Sequence, residues 1–186
     1  MSKRLVVLVS LLYGSALGAQ APAMPDTAAK RKAMEKLAFI VGDWGGEATA
    51  MVGRGQQVRV YQTEWVRPKA MGQVLAVEGL GRRLTAAGLT DTLFNAFAVI
   101  DWAADRGYFM RSNVADGRYG EFPLTVTDNG FVWGFDLPGG VGRVRYTMAL
   151  TDGLWHEKGE FSRDGTQWFP TMEMRLKKNP TDKPTP

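Results

Sequence analysis

The feature that most restricts this chain is a run of turn signals at short spacing after Gly42. They are Gly53-Arg54-Gly55, Lys69-Ala70-Met71-Gly72, Asp105-Arg106-Gly107, Asp116-Gly117, Asp128-Asn129-Gly130, Pro138-Gly139-Gly140, Asp152-Gly153 and Asp164-Gly165. In the second half they recur roughly every 8–12 residues, the cadence of an antiparallel β domain. Asn129-Gly130 and Asp164-Gly165 favour tight hairpins, because a type I′ turn needs positive φ at both central positions. Between the turns, side chains alternate with period two. Val144, Tyr146, Met148 and Leu150 share one face, as do Met172, Met174 and Leu176, and Phe131, Trp133, Phe135 and Leu137. Such alternation places one face of each strand on a core.

These signals predict about ten strands, at 44–52, 57–67, 73–82, 92–102, 107–113, 118–127, 130–137, 141–151, 154–162 and 167–177. An open meander of that many twisted strands leaves two edges and tends to close on itself. The expected fold is therefore all-β, an antiparallel up-and-down barrel of about ten strands, with a β-sandwich as the alternative. Residues 83–91 read as the longest connection, flanking a barrel mouth. With 186 residues in all, one domain over 26–178 is the expectation.

Ahead of the strands one short N-terminal helix is expected. Asp26 or Thr27 can accept hydrogen bonds from its free backbone donors, and Met34, Leu37, Ala38 and Val41 form one apolar stripe that Gly42 ends. Further upstream, Lys3-Arg4 precedes an apolar run from Leu5 to Leu12 and then small residues, the layout of a secretory signal peptide. The run falls short of the roughly 20 apolar residues that span a bilayer. Residues 1–19 are read as the leader, with cuts after 21 or 23 as alternatives. The mature protein is then expected to be exported, to a bacterial periplasm or the extracellular space, with no membrane anchor. Residues 179–186 offer nothing apolar to bury and read as a disordered tail.

Composition removes several classes of chemistry. There is no cysteine and only one histidine, so disulfides, thiolate nucleophiles and cysteine- or histidine-based metal sites are not expected. Loss of the leader takes the basic residues from 23 to 21 against 19 acidic, so the formal charge falls from +4 to +2. That balance gives no electrostatic footprint for nucleic acid. After the leader the only serines are Ser112 and Ser162, in no nucleophile elbow. No phosphate-binding loop is present, and the glycines punctuate turns instead.

Phe39-Ile40-Val41-Gly42-Asp43-Trp44-Gly45-Gly46-Glu47 resembles the opening of a family of small exported bacterial proteins of unknown function, in which a helix leads to Phe-x-x-Gly-x-Trp-x-Gly-Glu and then to strands. The segment Leu154-Trp155-His156-Glu157-Lys158-Gly159-Glu160-Phe161-Ser162-Arg163-Asp164-Gly165 resembles it as well. The resemblance implies a lipocalin-like or calycin-like barrel and no established activity. Gly42-x-Trp44 also resembles the start of lipocalins, where the Trp plugs the closed end beneath a basic residue of the last strand. That likeness makes Trp44 and Arg175 the expected barrel-closing pair. The same opening is similar to nitrobindin-like haem barrels, but Ala48 stands where those have Gly. Haem needs an axial ligand, and His156 is the only histidine to supply one. No cofactor is expected.

The expected function is non-covalent binding of a small apolar or amphipathic molecule. Trp65, Met110, Trp133, Tyr146, Met148, Met172 and Met174 are candidate wall residues, since a barrel of this size has more interior than side chains readily fill. Glu64 and Glu78 are candidates for a polar contact. An inward carboxyl near an apolar cavity has a raised pKa and can also serve as general acid or base, so an enzyme built on Glu64 or Glu78 is the first alternative. Either carboxylate can instead face outward or pair with Arg59, Arg82 or Arg111. A filled barrel acting as an envelope or protein-interaction module is the second alternative.

Overall fold

The computed structural model describes residues 26–53 and 55–178. The leader and the tail expected at the two ends lie outside the described residues.

Helix α1 spans Thr27–Glu35, and the Asp26 carboxylate caps it by accepting from the backbone N–H groups of Ala28 and Ala29 at 3.1 and 2.9 Å. The sequence stripe implied a helix running to Val41. The chain instead leaves the helix after Glu35 and tightens into a 3-10 turn at Ala38–Ile40. The tighter winding rotates the apolar face, so Ile40 is buried and Ala38 is exposed. Met34, Leu37 and Ile40 then form a plug against the barrel.

Ten strands follow: β1 Gly42–Val52, β2 Gln56–Lys69, β3 Val74–Thr85, β4 Gly88–Ala103, β5 Gly107–Val114, β6 Tyr119–Val126, β7 Gly130–Asp136, β8 Arg143–Thr151, β9 Leu154–Ser162 and β10 Phe169–Lys178. Each pairs antiparallel with its neighbours in sequence, and β1 pairs with β10 from Trp44↔Lys178 to Ala50↔Met172. The barrel is closed, as the strand signals predicted. Every expected strand is present with its ends shifted by a few residues.

The largest difference concerns residues 83–91. They are strand and turn, not a long connection: β3 and β4 continue to Thr85↔Gly88 around a tight turn at Ala86-Ala87. Thr85 Oγ1 secures it, donating to the Gly88 carbonyl and accepting from the Ala87 N–H. Threonine and leucine suit strands as well as loops do, so the polar look of this stretch marks an exposed hairpin. Its β4 arm overhangs the barrel, since the β4–β5 pairing begins only at Ala96↔Val114.

The two ends differ. At the end carrying α1, Trp44, Val66, Leu75, Ile100, Phe131, Trp155 and Leu176 are buried under the Met34–Leu37–Ile40 plug. The Trp44 indole N–H donates to the Ile40 carbonyl at 2.7 Å. Its ring meets Trp155 edge to face at 5.7 Å between centroids, and Trp155 meets Phe131 at 6.4 Å. The Tyr108 hydroxyl donates to the Ala33 carbonyl at 2.7 Å, and Lys30 pairs with Asp101, so helix and barrel wall are fastened at two points. At the opposite end the β1–β2 connection and the hairpins around residues 86–87, 115–118, 137–142 and 163–168 surround the mouth.

The expected Trp44–Arg175 pair does not form. Met172, Met174 and Leu176 point inward, so the pleat sends Arg175 outward, where its guanidinium meets Glu173 at 3.0 Å. Lys178 has the inward parity, lies opposite Trp44, and places its ammonium 5.5 Å from the indole centroid. Its side chain passes over Gly42, where an added Cβ would come within 2.4 Å of Lys178 Cε. Gly42 also holds φ +140°, so this entry to β1 suits glycine on both counts.

Candidate functional site

The inward face of β2 reads Val58, Val60, Gln62, Glu64 and Val66, all buried. Two polar side chains thus interrupt an apolar stripe. Gln62 Nε2 donates to Glu64 Oε1 at 2.7 Å. Their inward neighbours on β3 are glycines, through Glu64↔Gly79 and Gln62↔Gly81. A Cβ on Gly79 would lie 2.9 Å from Glu64 Oε1, and one on Gly81 would lie 2.5 Å from Gln62 Oε1. The absence of side chains at these two positions is what gives the carboxyl and the amide room inside the wall. Phe94 of β4 packs across the same glycines and is itself 37% exposed toward the mouth.

A second carboxyl enters from β9. Glu157 is inward and buried, opposite Met148 of β8 and Met174 of β10. The Trp155 indole N–H donates to Glu157 Oε2 at 3.0 Å. Burial pushes the Glu157 carboxyl above the usual range, against the opposing pull of hydrogen bonding from Trp155 and Trp133. Glu64 is pushed up to about 8, chiefly by burial, with the Gln62 hydrogen bond opposing and the charge of Glu157 adding to the rise. Neither carboxylate has a basic partner among the described residues. Arg59 pairs with Glu47 and Arg111 with Glu121, while Arg82 reaches the Thr90 carbonyl.

Above these carboxyls the inward side chains are largely aromatic and only half-buried. Trp133 and Tyr146 stack at 4.3 Å with planes 16° apart, and Phe122 and Phe135 tilt against Trp133. Tyr146 has a raised pKa from burial and from Glu157, offset by Arg118 on the β5–β6 turn. The mouth half thus lines its interior with half-buried aromatic side chains above two buried carboxyls.

The sequence candidates divide accordingly. Glu64, Met110, Trp133, Tyr146, Met148, Met172 and Met174 all face the interior, with Met148 almost wholly buried beside Phe131. Glu78 and Trp65 are opposite one another on the outer face, Glu78 exposed and Trp65 half-buried, so neither reaches the lumen. Glu78 was assigned from its apolar neighbours, but the inward parity of β3 runs through Leu75, Val77, Gly79 and Gly81, and that of β2 through Glu64 and Val66 rather than Trp65. His156 is also outside, its Nε2 2.7 Å from Glu173 Oε1, and is no ligand for a haem in the lumen. Ser162 is buried in the β9–β10 turn, where its Oγ accepts from the Gly165 N–H at 2.8 Å and donates to Asp164.

Gln62 and Glu157 are the site residues that sequence reading missed. Each sits at the inward parity of an otherwise apolar alternation, Val58-Val60-…-Val66 and Trp155-…-Phe161. That interruption was the available signal.

Comparison with known proteins bears on the fold. No family model and no curated protein matches the chain. Among solved structures, the chain is similar to the crystal structure of Rv2717c from M. tuberculosis, with a TM-score of 0.56 and 10% identity, covering 79% of this chain and 97% of that one. At that identity the likeness is one of barrel architecture.

Proposed function

We propose that this barrel binds a small apolar or amphipathic molecule, non-covalently, in the aromatic cup at its mouth. The supporting observation is the change in burial along single strands. On β7, β8 and β9, Phe131, Met148 and Trp155 are buried near the closed end, whereas Trp133, Tyr146 and Phe161 toward the mouth keep accessible surface. A fully packed barrel would bury both sets. Small ligands are generally held in concave, mostly apolar sites with a few polar groups to orient them. The leader-like start supports an exported protein, and the Phe-x-x-Gly-x-Trp-x-Gly-Glu opening supports kinship with exported barrels of unknown function.

Native mass spectrometry of the purified protein, together with tryptophan-fluorescence titration by neutral amphiphiles, tests this reading. Saturable quenching that is lost in Trp133→Ala is expected. Unchanged fluorescence at all probe concentrations, with a bare native mass, would sink it.

A second reading has one observation in its favour. Burial pushes the Glu64 carboxyl up to about 8, into the range an acid/base group requires. Glu78 no longer belongs to it, because that carboxyl is on the outer wall.

A further inference from the structure

The polar atoms at the cup floor have a one-sided inventory. Gln62 Nε2 is spent on Glu64, and the Trp155 indole N–H is spent on Glu157. Glu64 Oε2 and the Gln62 carbonyl have no protein donor. Yet no fully enclosed side-chain oxygen or nitrogen among the described residues lacks a partner. These two acceptors therefore border accessible space, although Glu64 and Gln62 as residues are 7% and 6% exposed. What is open in the floor is chiefly acceptor capacity, carried by carboxyls without a basic partner and walled by aromatic rings.

That combination suits one chemical class. A group bringing N–H donors and positive charge satisfies the free acceptors and neutralises buried carboxylates. The faces of Trp133 and Tyr146 add cation–π attraction. A carboxylate ligand would meet like charge from each floor carboxyl that ionises. A neutral alkane would leave the acceptors unpaired.

We propose that the floor of the cup, between Glu64 and Glu157, receives the head of a small organic cation, a protonated primary amine on an apolar body. This rests on the reading of the cup as a ligand site and specifies its ligand class. The other titratable groups nearby are Tyr146 on β8, inside the lumen, and Arg118, which acts on Tyr146 from the β5–β6 turn. On the flanking strands, Glu64 faces Trp44 of β1 and Gly79 of β3, and Lys178 of β10 is turned to Trp44 at the closed end. Since Glu64 holds a proton at neutral pH, the cation enters as that proton leaves, so binding strengthens as pH rises toward about 8.

The test compares hexylammonium, hexanol and hexanoate by calorimetry and tryptophan fluorescence from pH 6 to 9, a range in which an alkylamine stays charged. Hexylammonium is expected to bind about tenfold tighter than hexanol at the upper end, the scale of one charge-assisted contact. Its affinity should climb with pH, and calorimetry in buffers of different ionisation heat should register proton release. Glu64→Gln should remove both the pH dependence and the proton release. Near-UV circular dichroism verifies its fold, and Glu157→Gln repeats the loss of preference from the opposite wall. Equal binding of hexylammonium and hexanol at every pH overturns the cation and spares the cup. Preference for hexanoate, weakening as pH rises, also overturns it, by making Glu64 a neutral donor. Failure of all three probes to bind overturns the cup reading as well.

Discussion

Trp44 and Trp133 are both inward-facing tryptophans of one barrel, and they are used in opposite ways. Trp44 is 2% exposed, its indole N–H satisfied by Ile40, its ring enclosed by Trp155 and covered by Lys178. Trp133 stacks on Tyr146, with Phe122 and Phe135 tilted against it, and is only half-buried. The strands are the same; what differs is what lies above them. A helix and a 3-10 turn bring Met34, Leu37 and Ile40 onto one end, and only hairpin turns surround the other. The closed end supplies stability, and the mouth half supplies space.

The largest effect expected from this contrast is on Trp44. Trp44→Ala should destabilise by about 3–5 kcal/mol in denaturant melts, the range for deleting a buried large aromatic. Trp133→Ala should cost clearly less and act mainly on ligand titrations. Equal costs would mean that the mouth half is packed as tightly as the closed end.

Next in size is a pH effect carried by Glu64. Its folded pKa, about 8, lies above the ordinary 4.5, so the folded state keeps a proton that the unfolded chain surrenders. Stability is then full below pH 4.5 and declines as pH rises through about 8, by on the order of a few kcal/mol. Glu157 acts in the same direction. Chemical denaturation across this window should show the decline, and Glu64→Gln should flatten it. A wild-type profile that is level from pH 5 to about 8.5 contradicts the buried, unpaired carboxyl.

The smallest effect expected is at Glu78, which belongs to the same sheet on the outer side. Glu78→Gln should alter stability by less than about 0.5 kcal/mol, as exposed substitutions usually do. It should leave both the pH profile and ligand binding unchanged. A Glu78 variant that behaved like the Glu64 variant would place the two carboxyls on one face.

These residues also show what could be read in advance. Period two and recurrent turns were enough for ten strands and closure, because both follow from local rules of pleat and edge. Alternation gave the inward methionines on β10 directly. It did not give Glu78, since Ala76 and Leu80 are apolar yet share its outward parity. Nor did it give Lys178, because the closing contact depends on where β10 ends relative to β1, a long-range register. Glu157 and Gln62 were hidden by the ordinary expectation that charged and amide side chains point to water. The glycines opposite Gln62 and Glu64 become meaningful only once β2 and β3 are aligned.

Closure of a barrel normally leaves no strand with an unused rim of backbone groups. The overhanging β4 arm is an exception, since from Gly88 to Phe94 it is laddered to β3 alone. Asp91 and Thr90 at this stretch, with Arg83 drawn onto Asp91, set charge and polarity where another chain would otherwise add itself. Removing that charge would turn a guarded margin into a template for self-association. The hairpin that lengthens the wall thus also carries a strand margin that depends on this guard.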